Sequence, residues 1–181
     1  MSNYYVIKPN GRSRKPRGRR KVTISTVISR MKREHPGTAE EFADKCKLSL
    51  QYIGSGCSRC VYKVGGLPLV VKFDQGPRSG SMTQAECEAI SYKKLMSISR
   101  YKRLRKYLPK LYYFDKKTGH SLMHYYDRPC SNDKCREVSK EFMDTLSVDN
   151  DMDIYPPNVR ASRRGVPKVI DMGCVHPKRI R

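Results

Sequence analysis

Asp153 and Asn158 stand five residues apart around Tyr155-Pro156-Pro157, and Asp171-Met172-Gly173 follows thirteen residues after Asn158, behind the apolar pair Val169-Ile170. Asn158 and Asp171 offer the hard oxygen ligands that magnesium prefers. Asp153 is placed to accept the proton of an attacking hydroxyl. Upstream, Val70-Val71-Lys72-Phe73 sets a lysine inside an apolar strand. Burying an ammonium among β-branched neighbours is costly unless an anion meets it, although an edge strand would let the same lysine reach solvent. Glu88 shares a helical stripe with Ala85, Tyr92 and Leu95 and so faces inward, whereas Glu86 is the natural capping partner of Thr83. Gly54-Ser55-Gly56, with Val61 beyond it, is a glycine-rich turn between two strands. Such a turn can bring backbone N–H groups close to phosphates, and an ordinary hairpin turn uses the same residues.

These side chains need a frame. Ile24, Val27, Ile28 and Met31 repeat with a helical period, and Pro36-Gly37 ends that helix. Thr38 with Glu41 opens a second short helix through Lys47 in the manner of a capping box. From Leu48 the pattern turns to strands over residues 48–54, 60–64 and 68–73, joined by glycine-containing turns. Thr83 and Glu86 start a long helix that Pro109 stops, with Ala85, Ala89, Tyr92, Leu95, Ile98 and Tyr101 near one side. Strand-like runs at 110–115 and 121–126 flank a Lys117-Thr118-Gly119 turn, a last helix fits 134–146, and the remainder reads as loop. The expected division is a basic flexible arm (1–22), a helical segment (23–47), a small lobe (48–126) and a C-terminal region (127–181).

The chain of 181 residues carries 38 Lys and Arg against 17 Asp and Glu, a formal charge of +21, which draws it to polyanions. The cations concentrate in the arm at 10–21 and along residues 93–106, where Tyr101, Tyr107, Tyr112 and Tyr113 are near in sequence. A basic face with aromatics suits nucleic acid, and a solvated face would look the same. No signal-peptide core or membrane-length apolar run occurs, and the seven cysteines form an odd set, so the expected home is a reducing cytoplasm with free thiols. Cys57, Cys60, Cys130 and Cys135 could be read as zinc ligands, but the second spacing is wide for that purpose. His35, His120, His124 and His176 lack paired spacing and read as surface or strand residues.

Taken in series, these motifs resemble the protein kinase superfamily. Gly54, Ser55, Gly56 and Val61 look like its glycine-rich loop, Lys72 like its ATP lysine and Glu88 like its helix glutamate. Asp153 to Asn158 looks like its catalytic loop and Asp171-Met172-Gly173 like its metal-binding Asp-Phe-Gly, with Met123 to Tyr126, including Tyr125, at the hinge. The resemblance implies an α+β kinase-like fold: a five-stranded antiparallel small lobe with one long helix, and a strongly trimmed C-terminal lobe. It also implies ATP and Mg2+ as cofactors, with Lys72 holding the phosphates, Glu88 holding Lys72, Asn158 and Asp171 binding the metal and Asp153 orienting the nucleophile. The substrate class it implies is a Ser or Thr hydroxyl on a protein, an acidic one being suited to this charge. Departures are plain: Arg59 stands at the third glycine, Asp151-Met152 at the His-Arg before the catalytic Asp, and Tyr155 at the catalytic-loop lysine. Only ten residues follow Asp171, so no activation segment is expected. Brevity and basic charge resemble the short Ser/Thr kinases of tailed bacteriophages, which implies a host-cytoplasmic location. The alternative is a pseudokinase, or a basic module that binds nucleic acid or a partner without catalysis.

Overall fold

A computed structural model describes residues 6–10, 22–56, 58–75, 83–147, 154–172 and 180. It is of mixed α+β type, with antiparallel sheets, and its chain divides into two compact units: Met1–Pro77 with Leu111–Tyr125, and Arg78–Lys110 with Tyr126–Arg181. No helix among the described residues is long and apolar enough to cross a membrane.

The first unit is a six-stranded sheet with a helical hairpin. The helices are α1 (Ile24–Glu34) and α2 (Ala39–Cys46). The strands are β1 (Val6–Ile7), β2 (Leu50–Ser55), β3 (Arg59–Val64), β4 (Leu69–Asp74), β5 (Leu111–Phe114) and β6 (Ser121–His124), in the order β1-β2-β3-β4-β6-β5. Thr23 and Thr38 cap the two helices by accepting the Thr26 and Glu41 N–H groups. The Glu41 carboxylate takes the Gly37 N–H at 2.9 Å, one residue outside the expected capping box. His35 and Lys47 close the helices in the left-handed region. One face of the sheet joins the hairpin in a core that includes Val27, Met31, Phe42, Tyr62, Val71, Phe73 and Leu122, with Phe42 and Phe73 edge to face at 5.9 Å.

A buried polar clasp reinforces that junction. His35 Nδ1 meets Asp115 Oδ2 at 2.8 Å, and Asp115, only 1% exposed, also accepts the Lys117 N–H. His120, buried against Phe73, accepts the Asp74 N–H on Nδ1 and reaches the Gly37 carbonyl through Nε2. The two histidines therefore hold the hairpin to the sheet, where the sequence suggested ordinary surface or strand positions.

The second unit contains α3 (Gln84–Ser97), a 3-10 helix (Ser99–Tyr107), α4 (Asn132–Leu146), and a small sheet of β7 (Arg128–Pro129), β8 (Val159–Ala161) and β9 (Pro167–Val169). Thr83 and Glu86 form both halves of a capping box. The expected long helix ends at Ser97 and continues as 3-10 turns. Leu95, Ile98, Tyr101, Leu104 and Tyr107 recur every third residue, the spacing at which 3-10 side chains eclipse into one row. That row feeds a core with Val138, Phe142, Val159, Val169 and Met172. Arg105 donates to the Leu95 and Ile98 carbonyls at 3.3 and 3.1 Å, satisfying acceptors where the α-helical ladder stops.

Candidate functional site

Register in the first unit places most of the predicted phosphate-site residues on one sheet face. Gly54 pairs with Val61, Val61 with Lys72, and Lys72 with Ser121, so these four make one row across β2, β3, β4 and β6. Val70 and Met123, paired with one another, lie two residues along on the same face. Directly opposed Cβ atoms sit about 5 Å apart, so each row is a contiguous strip. The other face, carrying Tyr62, Val71, Phe73 and Leu122, belongs to the hairpin core. Alternation along β4 therefore sends Lys72 away from that core.

Lys72 is 5% exposed, and Val70 and Met123 are also buried. Ser121, which the sequence reading passed over, is buried as well, and its hydroxyl has no hydrogen-bond partner among the described residues. A buried polar atom without a partner costs free energy, and here it lies on the lysine's own face. Its signal in the sequence was faint: a small polar residue at the start of the run Ser121-Leu122-Met123. Tyr125 follows Met123, donates its N–H to the Pro68 carbonyl at 3.0 Å, and has the Lys63 ammonium 4.6 Å from its ring centre.

The turn between β2 and β3 is closed by the Gly56 N–H donating to the Arg59 carbonyl at 2.9 Å. Ser55 and Gly56 are exposed, and a methyl group built at Gly54 or Gly56 would meet nothing within 4 Å. Neither glycine is among those with positive φ. The backbone itself thus requires glycine at neither position, and their smallness keeps the strand surface open to close approach. Gly65 is the contrast, since a methyl there would lie 2.2 Å from Ser49 Oγ. Arg59, at the third-glycine position, is buried and opposes Asp74 in register.

The second unit positions the predicted carboxylates. Glu88 lies on the buried stripe of α3 at 5% exposure, and its Oε1 accepts the Met172 backbone N–H at 3.1 Å. The residue beside Met172 is Asp171. Val159 pairs with Val169 in the β8–β9 ribbon, and the Ile170 N–H donates to the Asn158 carbonyl at 2.8 Å. Asn158 and Asp171 consequently emerge at the same end of that ribbon. Two oxygen-bearing side chains at one ribbon end suit magnesium, which commonly takes one or two protein carboxyl or amide oxygens and completes its shell with water and phosphate. Tyr155, three residues before Asn158, is 49% exposed. Asp153 and Gly173 lie outside the described residues.

Burial disfavours the thiolate at Cys46, Cys60 and Cys135. Burial pushes Cys60 up and takes Cys46 to about 11; burial and the adjacent Cys130 thiol take Cys135 to about 11. Thiolate is the form that binds zinc or attacks. Among the described residues no group of three or more His, Cys, Asp or Glu side chains is placed to hold a metal ion; Cys57 is outside that set. No protein-family model matches the sequence, and no curated protein matches it.

Proposed function

We propose that the chain is a kinase-like phosphotransferase that binds ATP with magnesium and moves the γ-phosphoryl group to a Ser or Thr hydroxyl of a protein. The observation that carries the reading is the row Gly54, Val61, Lys72 and Ser121: a small glycine open to approach, a buried ammonium and a buried hydroxyl with no partner among the described residues, on one sheet face. An ammonium beside an unpartnered hydroxyl and a small glycine offers donors that suit phosphate oxygens. In this reading Lys72 takes the phosphates, while Val61, Val70 and Met123 supply apolar surface to the base. Asn158 and Asp171 hold the magnesium ion, which neutralises charge on the transferring group. Glu88 fixes the Asp171 segment through Met172, and Asp153 orients the hydroxyl.

The test is transfer of γ-labelled phosphate with magnesium, by the protein alone and with cell extract, alongside Asp153→Ala. Label transferred by the wild type and lost in the variant supports the reading. Tyr155 in place of the catalytic-loop lysine favours one second reading, a pseudokinase that binds nucleotide without transfer. A magnesium-dependent thermal shift with ATP, without label transfer, would identify it. Absence of both signals would overturn both.

A further inference from the structure

The cations of the second unit are left over by the phosphotransferase reading. In a 3-10 helix residues three apart eclipse, with a rise of about 2 Å each, so Arg100, Arg103 and Lys106 share an edge at intervals of roughly 6 Å. All three are exposed, as are Lys102 and Lys110, while Tyr101 and Leu104 turn inward. That interval is comparable to the distance between successive phosphates of one nucleic-acid strand.

The small sheet continues the same charge. Lys168 Nζ donates to the carbonyls of Lys106 and Leu108 at 2.5 and 3.3 Å, which fastens β9 to the end of the 3-10 helix. Arg160 is paired directly with Lys168, although like charges opposed across strands are unfavourable. Arg163 and Arg164 stand exposed in the turn between β8 and β9, and Arg128 Nη1 donates to the Arg163 carbonyl. Glu141 offsets part of this charge, lying 3.3 Å from Lys106.

We propose that this face, formed by the 3-10 helix and the β8–β9 turn, binds the sugar–phosphate backbone of a nucleic-acid strand. A protein partner would call for apolar or aromatic anchors at the centre of its contact. The exposed large apolar residues among those described are Val6, Ile90, Met96 and Tyr155, none of them on the 3-10 helix or the β8–β9 turn. Tyr101 is 1% exposed and Tyr107 bonds Glu141, so the tyrosines within this segment do not serve as stacking platforms. Recognition therefore runs through phosphates and is indifferent to base sequence.

Fluorescence anisotropy with a labelled mixed-sequence RNA of about twenty nucleotides tests this on the full chain across a salt series. The wild type should bind with log K falling linearly in log salt. The combined variant Lys102→Gln, Arg103→Gln, Arg163→Gln, Arg164→Gln should bind at least about tenfold more weakly, with the salt slope reduced by about three. A change of base sequence should leave affinity unchanged. Arg100→Gln with Lys106→Gln samples the same edge of the 3-10 helix should the fourfold variant fail to fold. Wild-type affinity and slope in the folded variants would overturn the assignment, as would no RNA binding at all. Poly-glutamate competing as well as RNA per unit charge would also overturn it, in favour of an acidic protein partner.

Discussion

The Glu88 carboxylate and the Met172 backbone N–H, 84 residues apart in sequence, meet in a buried hydrogen bond of 3.1 Å. The bond ties the middle of α3 to the backbone next to Asp171. Replacing Glu88 with Ala strands a buried donor and should cost about 1–3 kcal/mol in chemical denaturation. Glu88→Gln keeps an acceptor oxygen and should cost less than half as much. A glutamine variant as unstable as the alanine one would mean the bond does not hold this junction.

The glycines divide into two kinds with opposite expectations. Gly54→Ala and Gly56→Ala meet open space and should change stability by less than about 0.5 kcal/mol. If the strip beside them receives phosphate, both should weaken the thermal shift given by magnesium–ATP. Gly65→Ala drives a methyl toward Ser49 and should destabilise by about 1 kcal/mol or more without touching that strip. Equal effects at all three sites would remove the distinction.

Asp115 governs an acid limb of stability. Burial alone would raise its carboxyl, but the His35 hydrogen bond and the Lys117 N–H outweigh burial and hold it below its ordinary value of 3.8. A folded-state pKa below the unfolded one gives stability that is present above the ordinary carboxylate range and lost as pH falls through the folded value. Denaturation midpoints should therefore decline below about pH 4, and Asp115→Asn should flatten this decline while lowering stability at neutral pH. An unchanged acid limb in the variant would refute the role.

Arg105 is a structural cation in a segment of exposed ones. Arg105→Ala removes the bonds to the Leu95 and Ile98 carbonyls at the end of α3 and should cost about 1–2 kcal/mol. Lys102→Ala, on an exposed neighbour, should fall within about 0.5 kcal/mol of wild type. Similar losses at both positions would contradict the capping role.

Much of this frame was legible because it rests on local rules. Ile24, Val27, Ile28 and Met31 announced α1 by their period, and Thr83 with Glu86 announced the start of α3. Alternation along Val70, Val71, Lys72 and Phe73 already implied that Lys72 and Phe73 face opposite ways. What escaped the reading depends on pairing between distant segments. Val6 and Ile7 form a strand only because Leu50 and Gln51 offer an edge. The ribbon that brings Asn158 and Asp171 to one end has strands of three residues, too short to show a period. Ser121 stands out only through its register with Lys72. The 3-10 helix was visible in principle, since its apolar residues recur by three without the fourth-residue step of an α-helix.

The helical hairpin's place in the first core bears on how the protein can be shortened. A gene fragment opening at Leu48 would keep the glycine turn, Lys72 and Ser121, yet it would uncover Tyr62, Val71, Phe73 and Leu122 together and leave Asp115 without His35. Such a fragment should accumulate as insoluble aggregate.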